Sequence, residues 1–563
     1  MFYLYKIAVF TVFFVIFSGK TAAQNEGNTP DNFIDFYNQK QPKREIRAVW
    51  LTTISGLDWP RTKANDAASV ARQQAELCEI LDRLQRIHIN TVILQTRIRG
   101  TVIYPSQYEP WDECLTGHPG KSPGYDPLQF CIDECHRRGM ELHAWLVCIP
   151  LGKAAKQKQY GAESIVRRQP ALCKTVGQEV FMVPGQSATA DYMASLCREI
   201  TEKYDIDGIS LDYIRYPESV YKFSDDNLYV APGSSQTAAD PAATVSHGKK
   251  KGSAKRRGKR TAAPKASAAQ LADWRRENIT RIVRRVHDVV KPLKPWVRLS
   301  SSPIGKYGNL SRYSSGGWNC YNAVFQDPQL WLKENLQDML FPMMYFQGNH
   351  FYPFLFDWLE HSSGHPVVPG LGIYFLDPRE GKWTLNQVRA QMHTARSSGI
   401  GGMAFYRSDF LTRNVKGLYD CCAEEFFPFP ALTPRMTWMG TDSLQPQPPT
   451  HVHYSEGCLR WQGGAPNYNI YGSNQWPVDV TRAENLLAVR VASASYELSG
   501  RAVRMRYFAV TACDRFGNES TAVQDTPQGQ TTVKQLNVSR LINPDLKGQK
   551  QQKKQKKSKK KKK

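Results

Sequence analysis

The stretch "DIDGISLDYIRYPES", Asp205 to Ser219, brings carboxylates, an arginine, tyrosines and a proline to the point where an apolar run stops. Gly208 to Ile214 alternates like a buried strand, so Asp212 stands near its end, beside Tyr213 and Arg215. A carboxylate in that place can attack or stabilise an electron-poor carbon, take a proton from water, or simply pair with Arg97 or Arg215. Similar groups end other apolar runs: His143 and Trp145 in "ELHAWLV", Arg97 after "TVILQT", Glu109 and Trp111 in "YEPWDE", Tyr345 in "MLFPMMY" and Asp377 in "YFLDP". The mixture suits a sugar. Aromatic faces stack on pyranose rings, planar polar groups hold hydroxyls, and two carboxyl groups can share the acid and base work of glycosidic cleavage. Each residue also has a plainer reading, His143 as a hydrogen-bonded core histidine and Trp111 and Trp145 as packing.

Eight short β-rich runs stand ready to carry these side chains: Ile46 to Thr53, Thr91 to Thr96, Glu141 to Val147, Gly208 to Ile214, Val297 to Pro303, Met339 to Tyr345, Val367 to Ile373 and Gly402 to Ser408. Amphipathic segments with three- and four-residue apolar spacing lie between them, and no GxGxxG follows the first. The pattern predicts an α/β fold, a (β/α)8 TIM barrel, with its chemistry at the C-terminal ends of the strands. Alternation then points His143, Trp145, Ser210 and Asp212 inward and puts Gln95 and Arg97 on one shared face. Glu141, at the start of its strand, belongs at the opposite end. After the barrel, 428–449 reads as a Pro-rich linker, and 450–537 as a small all-β sandwich resembling fibronectin type III, with a tyrosine-bearing strand before a Gly-Asn turn.

The net charge of +23 suggests nucleic acid until it is located. Eleven lysines lie in 547–563 and eight Lys/Arg in Lys249–Arg260, with no acid in either, so the remainder is near neutrality. The expected partners are therefore a polysaccharide substrate and, through the Lys-rich segments, anionic envelope polymers, with no nucleic acid. Residues 1–23, with Lys6, an apolar run from Ile7 to Phe17 and small residues at 21–23, read as a signal peptide; the run is too short for a span. The protein is thus expected to be secreted across the inner membrane into the periplasm or cell envelope, and not to be an integral membrane protein. A basic insertion (231–267) and a terminal tail (538–563) are low-complexity. The twelve cysteines fall mostly on helix- or strand-like segments and show no zinc spacing, which predicts core thiols, with one or two disulfides allowed, no metal and no cofactor.

The runs "REIRAVWLTT", "QTRIRGTVIYPSQYEPWDECLTGHPGKSPGYDPL", "ELHAWL" and "DGISLDYIRYP", in order between 44 and 427, resemble the glycosyl-hydrolase-like family 10 proteins. The resemblance implies an exported (β/α)8 domain that hydrolyses glycosidic bonds, with cell-wall glycan as substrate. It places Asp212 on the nucleophile or stabilising base of related barrel hydrolases, His143 and Trp145 on the family's His-Ala-Trp strand, and Glu109 and Trp111 on its Glu-Pro-Trp loop. Glu109, then Asp377, are the candidate general acids, with His143 a further catalytic candidate. Arg97, Trp111, Trp145, Arg215 and Tyr345 are the candidate substrate contacts. The loop after the third strand reads "CIPLGK" where many members have Asn-Pro-Tyr-Arg, so a non-catalytic glycan-binding protein on the same barrel is the alternative.

Overall fold

A computed structural model describes residues 41–525 apart from 219–222, 224, 231–265, 314–315 and 442–444. The signal segment, most of the basic insertion and the lysine tail lie outside the described residues. All eight expected runs become parallel strands. In chain order they are β1 (Ile46–Leu51), β2 (Thr91–Arg97), β3 (Glu141–Val147), β7 (Gly208–Asp212), β8 (Arg298–Ser302), β9 (Met339–Leu340), β10 (Gly370–Leu371) and β11 (Gly402–Phe405). Between β3 and β7 lies a separate antiparallel sheet of β4 (Pro150–Lys153), β5 (Cys173–Val176) and β6 (Glu179–Met182).

The eight strands run β10-β11-β1-β2-β3-β7-β8-β9, and the two outer strands meet. Val368 N–H donates to the Leu340 carbonyl (2.8 Å) and Gly370 N–H to that of Pro342 (2.8 Å), closing a TIM-like barrel. These last strands are short because Pro342, Pro366 and Pro369 have no N–H to give a ladder. Helices cover the outside, and their ends are set by sequence. Asp66 and Ser69 form a capping box before Ala67–Arg86, Ser267 and Gln270 another before Ala268–Val290, and Asp126 caps Pro127–Arg137. Side chains of one strand face fill the interior, among them Ile46, Ala48, Trp50, Ile93, Trp145 and Phe341. Nine of the twelve cysteines are buried, as small core side chains should be, and all twelve are free thiols.

Beyond the barrel are two small antiparallel sheets. One has the order β12-β13-β16 (Thr450–Ser455, Cys458–Gln462, Ser495–Glu497), the other β15-β14-β17-β18 (Leu486–Val491, Asn467–Ser473, Tyr507–Cys513, Val523–Gln524). Their shared core includes Val452, Trp461, Ile470, Phe508 and Val510. They press on the N-terminal end of the barrel. Arg490 bonds Asp207, just before β7, and approaches Glu141 at the start of β3 (3.5 Å), while Arg515 takes both oxygens of Asp205 (2.9 and 2.8 Å). Gly139 lies so close to the Val489 carbonyl that a Cβ would stand 2.5 Å from it. This end of the barrel is thereby covered, and the opposite end remains for chemistry.

Candidate active site

Asp212 is the last residue of β7, and its side chain is turned into the barrel mouth by strand alternation. Its Oδ2 accepts from Trp145 Nε1 (3.1 Å), and its Oδ1 accepts from the N–H of Tyr213 (2.7 Å). Tyr213 adopts φ +49°, a left-handed backbone that costs a tyrosine energy and lets its amide reach back to the carboxylate. The alternative of a structural ion pair fails on geometry: neither Arg97 nor Arg215 lies within pairing distance, and Asp212 has no ion pair among the described residues. Burial therefore raises its pKa to about 6, with Arg215, the Tyr213 amide and the Trp145 indole only partly opposing the shift.

Three tyrosines cluster beyond the ends of β9, β10 and β11. Tyr345, just beyond β9, lies 5.4 Å from the ring of Tyr406 and 5.8 Å from that of Tyr374, centroid to centroid. Burial raises the phenols of Tyr345 and Tyr406, and the Asp212 charge pushes them the same way. Just past the end of β7 lies a cavity of about 340 Å³ lined by Ile149, Pro150, Phe181, Tyr213, Arg215 and Glu218, among others. Phe181 comes from β6, so the small extra sheet builds one wall.

Trp145 and Tyr345 thus stand where the sequence predicts, and Arg215 lines the adjoining cavity. The rest do not. A β-bulge between Gln95 and Arg97 breaks the alternation of β2, so Gln95 pairs across with the inward Trp145, but Arg97 pairs with the outward Leu146. Arg97 then forms a bidentate pair with Glu109 (2.8 and 2.6 Å) in which both side chains are wholly buried, and it donates to the Cys148 carbonyl (2.8 Å). Arg97 and Glu109 are thus engaged with each other in a buried pair. Trp111 follows Glu109 in that outer loop and packs, half-buried, against the helix-side core.

His143 faces inward but lies too deep. It is fully buried, bonds Glu141 (3.3 Å) and sits against Gly208, where any Cβ would meet its ring at 2.7 Å. It pairs with Gly208 at the start of β7, four residues below Asp212, or about 13 Å along the strand. Asp377 accepts from Arg379 (3.0 and 2.7 Å) and approaches Arg413 (3.4 Å). The Arg379 hydrogen bonds hold it well below the usual carboxylate range, which suits a permanent anion and not a proton donor.

Glu218, Tyr374, Tyr406 and Trp318 were not among the expected site residues. Glu218 lay in the stretch that drew attention to Asp212, three residues after Arg215, and only its exposure on the cavity rim distinguishes it. Tyr406 follows β11, where the expected run Gly402 to Ser408 already carried it.

Residues 45–370 match the family described as glycosyl hydrolase-like 10. The chain belongs to this family. It is 29% identical over 447 residues to the glycosyl hydrolase YngK of Bacillus subtilis (strain 168), covering 75% of this chain and 79% of that protein. It is 30% identical over 324 residues to the glycosyl hydrolase DigH of Escherichia coli (strain K12), covering 54% of this chain and 66% of that one. Among solved structures, the glycoside hydrolase domain of PgaB (BpsB) from Bordetella bronchiseptica aligns with 68% of this chain and 99% of its own, at 12% identity and a TM-score of 0.43. The protein is a glycoside hydrolase by family.

Proposed function

We propose that the protein is an exported hydrolase of a cell-envelope glycan, peptidoglycan strands above all, with Asp212 as its essential carboxylate. The observation that carries the reading is a buried carboxylate without an ion pair at the C-terminal end of β7, with its pKa raised to about 6 and hydrogen-bonded by Trp145 and Tyr213. Ionised at neutral pH, Asp212 attacks the anomeric carbon or takes a proton from the attacking water, and its charge stabilises the oxocarbenium-like transition state. Glu218, on the rim of the adjoining cavity, takes the place expected for Glu109 or Asp377 and donates a proton to the departing oxygen. Water is added across the bond, its hydrogen to the leaving sugar and its hydroxyl to the anomeric carbon.

The two terminal sheets, of three and four strands, have the strand order of a fibronectin type III sandwich, which supports that reading of 450–525 as a barrel-packing module. Export rests on the N-terminal segment and envelope binding on the Lys-rich segments, both outside the described residues.

The test is incubation with purified peptidoglycan strands and mass analysis of the products. Asp212→Asn is expected to lower turnover by about 10³-fold or more while the fold persists. Glu218→Gln should fail on strands yet recover on aryl glycosides with a good leaving group, which need no proton. Near wild-type turnover by Asp212→Asn would end the assignment of Asp212, and a wild type that binds strands without cleaving them would favour a non-catalytic glycan binder.

A further inference from the structure

Arg215 is 6% exposed, yet its guanidinium has no ion pair or hydrogen bond among the described residues, and Nη1 is buried without a partner. Its company is aromatic, with the ring of Tyr213 at 4.3 Å and that of Trp318 at 5.3 Å from the guanidinium carbon. Ring faces return only part of the hydration that a buried cation gives up. Several other buried cations of this chain each have a carboxylate in contact: Arg47 has Glu45, Arg97 has Glu109, Lys291 has Asp338 and Arg490 has Asp207. Arg215 differs in lining, with Tyr213 that follows Asp212, the cavity of about 340 Å³ just past the end of β7.

We propose that Arg215 is an anion-reading subsite and that the glycan bound beside Asp212 carries a carboxylate. This rests on the hydrolase reading above and names the chemistry of its substrate. A planar guanidinium matches the two oxygens of a carboxylate, and one such group balances one negative charge. Asp212, whose field reaches Arg215, lies beyond pairing distance, so the guanidinium is not already spent on it. Glu218, the other carboxyl group on the cavity, is exposed to water. The exposed face of Trp318, 43% accessible, offers a platform for the ring that bears the carboxylate. The carboxylate belongs to the lactyl ether of an amino sugar or to a uronic acid, and the two are separable.

The experiment measures equilibrium binding by the full chain carrying Asp212→Asn, at a salt concentration that screens the lysine tail. The probes are peptide-free peptidoglycan strands, the same strands with each lactyl carboxyl converted to its methyl amide, and hyaluronan oligosaccharides. A charge-assisted contact predicts about 10- to 100-fold tighter binding of the acid strands than of the amides. Arg215→Gln should abolish that ratio and Arg215→Lys should keep part of it. The tail is common to all these proteins, so the change in the ratio on Arg215→Gln reads Arg215 alone. Arg215-dependent binding of hyaluronan in place of the lactyl strands would sustain the subsite and assign the carboxylate to a uronic acid. Equal binding of acid and amide strands without preference for hyaluronan, or a preference that survives Arg215→Gln, overturns the proposal. Discrimination without any cleavage by the wild type would count against the hydrolase reading alone, and cleavage without discrimination against the subsite alone.

Discussion

Asp212→Asn should make the protein more stable relative to wild type as pH rises, although it removes the group on which turnover depends. The native pKa of about 6 exceeds the ordinary value of 3.8, and burial is the leading cause. Below pH 3.8 both folded and unfolded chains hold the proton and the group contributes no difference. Between 3.8 and 6 the unfolded chain releases a proton that the native state still keeps, so native stability falls through this window and levels off above it. The full loss is about 3 kcal/mol, from about 1.36 kcal/mol per pKa unit. Of this, about 2 kcal/mol is lost between pH 4.5 and 7.5.

The amide does not titrate, so whatever Asn loses in bonds to Trp145 and Tyr213 is an offset constant with pH. The measurement is the difference in Tm between variant and wild type at pH 4.5 and at pH 7.5. An unfolding entropy of about 2.1 cal/mol/K per residue, over a unit of this size, makes about 1 kcal/mol equal to one degree, so the difference should move by about 2 °C in favour of Asn. A pH-independent difference, or one moving towards wild type, would refute the reasoning, because it would mean that a cation compensates Asp212 in the folded protein. The same ionisation should appear in catalysis, with kcat/KM falling tenfold per pH unit below about 6.

Glu109→Gln leaves Arg97 buried without its charge partner and should cost about 3–5 kcal/mol of stability, with kcat of the folded fraction close to wild type; a kcat loss comparable to that of Asp212→Asn at unchanged stability would return Glu109 to the catalytic pair. Arg490→Met uncovers Asp207 and Glu141 and should lower Tm by a similar energy without altering the acid limb of the pH profile; a displaced limb would show that the buried charges at the far end of the barrel reach Asp212. Removing Lys547–Lys563 should spare hydrolysis of short oligosaccharides and weaken binding to whole sacculi only in its salt-sensitive part, since exposed charges are screened within about 10 Å at 0.1 M salt; equal binding at low salt would show the tail to be inert.

The strands were legible because a parallel sheet covered on both faces must be apolar along its whole length, and such runs are visible without any partner. Their ends were less so. The expected runs at Met339 to Tyr345 and Val367 to Ile373 shrink to two residues each because proline interrupts their ladders. The error at Arg97 has a single cause. One extra residue in β2 reverses the side of everything after it, and a bulge needs no special residue that a reader could notice. Glu109 then followed Arg97 to the outside. The hairpin of β5 and β6 had its signal, alternating side chains around Gly177 at φ +63°, but lay between the third and fourth expected runs, where no strand was expected.

Charge compensation separates scaffold from site more sharply than residue type does. His143, Glu141, Arg97 and Glu109 are the kinds of side chain that hydrolyse bonds, yet in this fold they satisfy one another: Glu141 bonds His143 and is approached by Arg298 and Arg490, and Arg97 closes on Glu109. Breaking any of these pairs leaves a buried charge exposed to its own desolvation cost, so they hold the barrel and have little freedom to do chemistry. At the mouth the rule is relaxed twice within four residues. Asp212 rests on two neutral N–H donors and Arg215 on two ring faces, and neither neutralises the other by contact. A fold that compensates its deep charges and leaves one anion and one cation open to the same mouth has kept two sites for charges that arrive with the substrate, the positive one developing at the anomeric carbon and the negative one carried on the sugar.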